Sequence, residues 1–154
     1  MKKAMRLLCL IFAFAFIFTI PAQGVAINTE NENKEGTTRS AYFGSSCVYL
    51  VDNKNCSFDV WFEVTATRYM DKLGASHIKI QESLDGTTWT TVRNCYPSSY
   101  PDMLATDAVF HASSVHYTGM QGRYYRAVIT LYAENASGTG QVFEYTQTLR
   151  LQYA

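Results

Sequence analysis

Three histidines, His77, His111 and His116, are the side chains of this sequence best suited to metal binding or proton transfer. His111 and His116 are five positions apart, so on one extended strand their side chains would point to opposite faces. No carboxylate or cysteine lies at a metal-binding interval on the same face as these histidines. The spacing therefore predicts no metal site.

Two glutamates, Glu63 and Glu82, fall on strand-like segments and are candidates for general acid–base catalysis. Two carboxylates that hydrolyse a glycosidic bond would need a groove between them, which a small β-sandwich rarely provides. The sequence also lacks the Gly-x-Ser-x-Gly motif of serine hydrolases and a glycine-rich phosphate-binding loop. We therefore expect a protein that is not an enzyme and that carries no cofactor.

The segment Ser-Leu-Asp-Gly-Thr-Thr-Trp, which begins at Ser83 and ends at Trp89, is similar to the Asp-box motif of sialidase-like propellers. That motif has one residue between its Asp and its Gly, whereas Asp85 and Gly86 are adjacent here. Related hairpins occur in discoidin-like carbohydrate modules and in many inert sandwiches. An aspartate that binds its own turn amides and a glycine with positive φ favour a structural turn.

The outward side chains of one strand are the best candidates for ligand binding. Alternation over residues 124–133 places Tyr124, Arg126 and Tyr132 on the side away from the core. Two tyrosines beside an arginine can stack on sugars or anchor a protein partner. Trp61 also falls on an outward face. The alternative is that these rings only stabilise the sheet through cross-strand pairs.

Cys47, Cys56 and Cys95 are the cysteines that follow the N-terminal segment 1–26, so at most one disulfide can close within the rest of the chain. If the first hairpin turns at Asn53, Cys47 lies about 13 Å along its strand from the residue opposite Cys56, at roughly 3.3 Å per residue. A disulfide needs Cα atoms within about 7 Å. An up-and-down order places Cys47 and Cys95 at one end of a sandwich, although a fibronectin-like order separates their strands. The sequence thus predicts a Cys47–Cys95 disulfide and a free or intermolecular Cys56.

The N-terminal residues predict export from the cell. Three basic residues within positions 1–6 precede an uncharged apolar run over 7–20. The run is shorter than the roughly 20 residues of a spanning helix and is typical of a signal peptide, here 1–26, with an uncleaved anchor as the alternative. Cleavage after Ala26 removes those three basic side chains and no acidic one, so the net charge falls from zero to −3. We expect a secreted, extracellular protein without a nucleic-acid partner and without stable membrane insertion of the mature chain.

The rest of the chain favours β-structure. Residues 27–40 are polar and predict a flexible leader, taken as 27–44, before a domain over 45–154. Seven strands at this spacing are typical of an all-β, antiparallel sandwich of the immunoglobulin or fibronectin type III class. The β-rich or alternating segments that predict these strands are 46–51, 56–67, 77–83, 88–94, 108–117, 124–133 and 142–151.

Short motifs follow one another along the domain: Thr65-Ala66-Thr67, Asp71-Lys72-Leu73-Gly74, the segment that begins at Ser83, Gly122-Arg123-Tyr124-Tyr125-Arg126-Ala127 and Tyr145-Thr146-Gln147-Thr148. In this order they resemble a family of small secreted β-sandwich proteins from Gram-positive, mostly gut-dwelling bacteria, catalogued as a domain of unknown function. The resemblance covers roughly residues 45–152 and implies an exported sandwich with no catalytic residues to transfer.

Composition agrees with a folded binding protein. A charged fraction of 17% and a hydrophobic fraction of 47% are unlike those of a disordered chain. We therefore expect a secreted, non-enzymatic binding or surface-interaction module whose partner is an extracellular protein or a glycan. The alternative is a small secreted effector or antimicrobial factor that acts on other cells.

Overall fold

The computed structural model describes residues 41–152, which form seven β-strands and one short 3₁₀ helix, Pro101–Met103. All strand pairings are antiparallel and belong to one sheet, so the described chain is all-β, as the sequence predicts. The strands are β1 (Phe43–Lys54), β2 (Ser57–Ser83), β3 (Thr90–Cys95), β4 (Leu104–Thr118), β5 (Tyr124–Asn135), β6 (Gly138–Tyr145) and β7 (Leu149–Arg150).

β2 is the central strand, and different partners flank its two halves. β1 pairs with one edge of the first half, residues 57–66, while β4 pairs with the opposite edge over 57–74. β5 pairs with the second half, residues 72–83, on the same edge as β1, and β3 pairs with residues 78–82 beyond the end of β4. β6 and β7 continue the sheet on the far edge of β5.

The sheet is curled into a half-barrel, and the core lies inside the curl. Phe58 on the first half of β2 packs against Tyr125 on β5, with ring centroids 5.2 Å apart, and Tyr117 of β4 contacts both rings. Phe62 and Ile129, which alternate inward on the same strands, are fully buried. Each such burial contributes roughly 1.5–3 kcal/mol. The inward alternation predicted for 56–67 and 124–133 is therefore confirmed.

β2 joins two segments that the sequence predicts as separate strands, 56–67 and 77–83. The chain does not reverse between them, and Leu73 stays fully buried in this stretch. Gly74 has a φ of +151°, and a Cβ atom there would lie 2.1 Å from the carbonyl oxygen of Met103. Because glycine lacks this atom, β2 can pass directly against the 3₁₀ helix.

The predicted last strand, 142–151, is divided between β6 and β7. Residues 134–140, a polar and glycine-rich segment that has the composition of a loop, are mostly strand, because Asn135 and Gly138 pair directly and close a tight turn. This turn defines the register of β6 against β5 and places Tyr145 opposite Val128.

The N-terminal predictions lie largely outside the described residues. The signal peptide, 1–26, and most of the leader, 27–44, belong to that part of the sequence. β1 begins at Phe43, so the folded domain starts slightly earlier than the predicted boundary at 45. No helix between residues 41 and 152 is long and apolar enough to cross a membrane.

Candidate functional site

The turn between β2 and β3 is held by the carboxylate of Asp85. Its Oδ1 accepts hydrogen bonds of 2.8 Å from the N–H groups of Thr88 and Thr87 and from the Ser83 hydroxyl. These bonds, the one from the Thr88 N–H foremost, hold the pKa of Asp85 well below its usual range. Gly86 has a φ of +78°. The predicted bonds of Asp85 to its own turn amides and the predicted positive φ of Gly86 are therefore confirmed.

Trp89, at the end of this turn, packs on Arg126 on the outer face of the sheet, the face away from the core. The guanidinium carbon of Arg126 lies 4.4 Å from the centroid of the Trp89 ring and 5.7 Å from that of Tyr145. The Arg126 Nε donates a 2.9 Å hydrogen bond to Oε1 of Gln81, its partner on β2. We call Gln81, Trp89, Arg126 and Tyr145 the Arg126 platform.

Tyr124 lies beside the platform and is partly covered. The guanidinium carbon of Arg150 lies 5.3 Å from the centroid of the Tyr124 ring. A Cβ atom on Gly86 would lie 3.8 Å from the same ring, so the turn packs over this tyrosine. Tyr124 and Arg126 are two positions apart on the outer face, and the structure brings these two predicted site residues together.

Tyr132, the third predicted site residue, lies away from the platform. It is six positions beyond Arg126 on β5, which is about 20 Å at roughly 3.3 Å per residue. Its hydroxyl donates a 2.7 Å hydrogen bond to Oε2 of Glu134, which also pairs with Lys72 at 3.0 Å. The bond to Glu134 raises the pKa of Tyr132. Tyr132 thus belongs to a separate polar cluster at the other end of β5.

Trp89 and Tyr145 are platform residues that the sequence interpretation does not select. The sequence places Trp89 in a turn motif and leaves the register of Tyr145 undefined. The signal for Tyr145 is alternation on β6, where Val142 is buried while Phe143 and Tyr145 are 53% and 59% exposed. Alternation alone does not show that Tyr145 lies near Arg126. That also requires the register of β6 against β5, which the turn before β6 sets.

Three cations share the outer face around the platform: Lys79, Arg126 and Arg150. None of them forms a salt bridge within residues 41–152. The carboxylates nearest to them in sequence on the paired strands, Glu82 and Glu144, alternate to the other side of the sheet. These three cations are therefore not paired with a carboxylate of the described chain, and the carboxylate of Asp85 in the neighbouring turn is bound by its own turn amides.

Trp61, the other outward aromatic residue that the sequence predicts, lies on the first half of β2. It stacks on Tyr49 across the β1–β2 pair, with ring centroids 6.2 Å apart. Its indole Nε1 is buried and has no hydrogen-bond partner among the described residues. Such a cross-strand ring pair stabilises a sheet and does not by itself indicate a ligand.

A shallow open pocket of about 330 Å³ beside the turn contains Glu82 and Arg123. Glu82 accepts a hydrogen bond from the Tyr125 hydroxyl, and its other carboxylate oxygen lies 3.5 Å from the Arg123 guanidinium. Burial, together with the bond to Glu82, raises the pKa of Tyr125. Glu63 lies nineteen positions earlier, on the half of β2 that pairs with β1. The structure therefore does not bring the two candidate glutamates into one groove.

Each histidine has a local partner. Residues 41–152 contain no group of three or more His, Cys, Asp or Glu side chains that could hold a metal ion. The histidine contacts are His77 with Tyr96, ring centroids 4.6 Å apart, His111 Nε2 with the Asp102 carbonyl oxygen at 2.8 Å, and His116 Nδ1 with Asp59 Oδ1 at 2.8 Å.

The predicted Cys47–Cys95 disulfide is not formed, because all three cysteines of the described domain are free thiols. Cys47 is exposed on β1 opposite Glu63, whereas Cys95 is buried on β3 opposite Ile78. These two partners are fifteen positions apart on β2, so the cysteines lie beside different halves of that strand. Cys56 is buried in the β1–β2 turn. Burial raises the pKa of the Cys95 thiol.

In comparisons with known proteins, no family model and no curated sequence matches this chain. A function must therefore be inferred from the surface of the folded domain. Within it, the Arg126 platform combines a guanidinium held in one orientation with an exposed aromatic ring.

Proposed function

We propose that this protein is a secreted, non-enzymatic binding module whose partner, an extracellular protein or a glycan, contacts the Arg126 platform. The observation that carries the proposal is the contact of the Arg126 guanidinium with two aromatic rings, that of Trp89 and the 59% exposed ring of Tyr145. Arginine and aromatic side chains contribute most of the energy in many binding surfaces.

The platform is arranged before any ligand arrives. The bond to Gln81 and the stacking on Trp89 restrict the rotamers of Arg126, which would otherwise lose freedom on binding. A ligand therefore meets donors already in place, and preorganisation of this kind raises affinity by lowering the entropic cost of association.

The non-enzymatic part of the proposal is supported by the polar groups next to the platform, which have structural partners. Glu82 is engaged by Tyr125 and Arg123, and Asp85 is engaged by its own turn. Carboxylates bound in this way stabilise the β2–β3 hairpin that carries Trp89, which is a structural and not a catalytic role.

Two further parts of the proposal come from the sequence. The charged and apolar pattern of residues 1–26 supports export, and the order of motifs supports a relation to the secreted sandwich family. Packing of Phe58 against Tyr125 across the curl supports a sandwich-like core, although both rings belong to one continuous sheet and not to the two separate sheets of the immunoglobulin or fibronectin type.

The test uses residues 27–154 on a glycan array and as bait for extracellular proteins. Tyr145→Ser removes the exposed ring, and Tyr69→Ser is the matched control because Tyr69 is 73% exposed on β2 outside the platform. We expect Tyr145→Ser to weaken capture by about tenfold or more without a change in Tm, and Tyr69→Ser to leave capture unchanged.

Equal capture by the two variants would show that the platform is not the binding surface. Inhibition of other cells by the purified domain, without any captured glycan or protein, would favour the secreted-effector alternative.

A further inference from the structure

We propose that the ligand of the Arg126 platform is an acidic glycan, a polysaccharide whose sugar rings carry carboxylate groups. This inference rests on the proposed function, because it names the ligand class of the same site. Three observations support it: the free end of the Arg126 guanidinium, the cations around it that lack a carboxylate partner, and the row of exposed rings beside it.

The orientation of Arg126 leaves its terminal nitrogens available. Gln81 engages only Nε, and neither Nη atom has a hydrogen-bond partner in the part of the chain that the structure describes. Two N–H groups at the end of a guanidinium bind both oxygens of one carboxylate in parallel. Arg126 is therefore arranged to bind a carboxylate in a bidentate manner.

Lys79 and Arg150 flank this position on the same outer face. Gln81 pairs with Arg126, and Lys79, two positions before Gln81 on β2, pairs with Val128. Lys79 is therefore displaced from Arg126 by two residues along the strand direction, which is about 7 Å at roughly 3.3 Å per residue. Arg150 pairs with Tyr124, which lies two positions from Arg126 in the opposite direction along β5. The three cations thus lie at successive outward positions along the sheet, and none of them forms a salt bridge within the described residues. This arrangement fits a ligand that repeats its negative charge along its length.

Phe143 and Tyr145 form a row of exposed rings on β6, two positions or about 7 Å apart. The apolar C–H face of a pyranose ring packs against such aromatic faces. Nucleic acid also combines rings with charge, but its dense phosphates require many cations. Three cations on one face of residues 27–154, whose net charge is −3, fit the lower charge density of an acidic polysaccharide better.

The experiment measures binding of the domain to three uronate polymers: polygalacturonate, alginate and hyaluronate. The methyl ester of polygalacturonate keeps the sugar backbone and removes the charge, and a poly-dT oligonucleotide and a poly-glutamate peptide serve as other anions. We expect at least one uronate polymer to bind. If polygalacturonate binds, we expect its methyl ester to bind with at least about tenfold lower affinity. Binding to the uronate polymer should also weaken as salt is added.

Substitutions locate the contact. Arg126→Gln should weaken uronate binding by about tenfold or more, and Arg126→Lys by several-fold, because lysine keeps the charge but lacks the planar fork. Arg68→Gln removes the same charge from an exposed position on β2 outside the platform and should change the affinity by less than about twofold. Equal Tm values show that the variants are folded.

Several outcomes would overturn the inference: no binding to any of the three uronates, equal binding to the acid and its ester, or tighter binding to poly-dT or poly-glutamate. If a neutral glycan or a protein binds and Tyr145→Ser abolishes that binding, the platform is a binding site with a different ligand class. If no ligand depends on Tyr145 either, the proposed function itself is wrong.

Discussion

At the scale of single residues, Asp85 links the stability of the β2–β3 turn to pH. Its pKa lies below the ordinary value of 3.8 in the folded state, because the turn amides bind the charged carboxylate. A carboxyl group with a lowered folded pKa adds stability above its unfolded pKa, and this contribution is lost as the pH falls toward the folded value. The turn is therefore expected to weaken in acid, and with it the position of Trp89.

Asp85→Asn tests this dependence. We expect the variant to have a lower Tm than the natural protein at about pH 6, and the difference to narrow at about pH 2, where the unfolded carboxyl is protonated. Thermal unfolding followed by circular dichroism at several pH values measures both quantities. A difference that stays constant across this range would mean that the charge of Asp85 does not stabilise the turn.

Gly74 is the position where a single added carbon should cost most. Gly74→Ala would place a Cβ atom 2.1 Å from the Met103 carbonyl oxygen, so we expect a loss of about 3 kcal/mol or more in the free energy of unfolding. Gly122→Ala is the control, since Gly122 has a φ of +79° but no atom within 4 Å of the added carbon. It should cost about 1 kcal/mol, from backbone strain alone. Urea unfolding that gives equal losses would contradict the close approach.

At the scale of elements, β4 has an unprotected edge. It pairs with β2, and no second strand pairs with it in the described chain. Residues 108–118 contain no Lys, Arg, Asp, Glu or Pro, the residues that usually prevent edge pairing. Val109 and Phe110 are 37% and 54% exposed. This strand is therefore a candidate for pairing with another chain at high concentration.

Phe110→Lys should reduce such association. We expect the natural domain to self-associate as its concentration rises, and the variant to remain monomeric over a wider range, because a lysine on an edge opposes strand pairing. Leu84→Lys adds the same charge on the exposed β2–β3 turn and is the control. Sedimentation velocity over a concentration series compares the three proteins, and identical behaviour of all three would contradict a role for the β4 edge.

The strands that the sequence predicts best are those with clean alternation. β5 and the first half of β2 show one buried face each, because every second side chain is apolar. The continuity of β2 is not predictable in this way, since the stretch around Asp71 and Gly74 has the composition of a turn. Its extended path depends on the 3₁₀ helix at Met103, which is distant in sequence.

At the scale of the whole molecule, the candidate site is only partly predictable. Tyr124 and Arg126 share one strand, so alternation alone places them on one face. Trp89 and Tyr145 reach Arg126 through a turn and a neighbouring strand, and such contacts depend on the register between strands. The Cys47–Cys95 pairing fails for the same reason, because it assumes an order of strands that the curled sheet does not have.

The two halves of the sheet should unfold together, since β2 belongs to both. Trp61 reports on the first half and Trp89 on the second, and the chain contains two tryptophans in total. Trp61→Phe and Trp89→Phe each leave one fluorescent reporter, and we expect the two variants to show coincident transitions in urea. Adding Phe62→Ala should cost about 3–5 kcal/mol and lower both midpoints alike. Separate midpoints would show that each half unfolds independently.

The long central strand also sets the order in which the domain can fold. β1 and the first half of β2 are consecutive in the chain and pair from Lys54 and Ser57 outward, so this hairpin can close within microseconds. The second half of β2 waits for β5, which follows only after β3 and β4. Until β5 has been synthesised, Ile78 and Ile80 cannot be buried against that strand. The chain is therefore most prone to misassembly before β5 is available. The pairing of β2 with β5 is thus the step we expect to limit the folding rate.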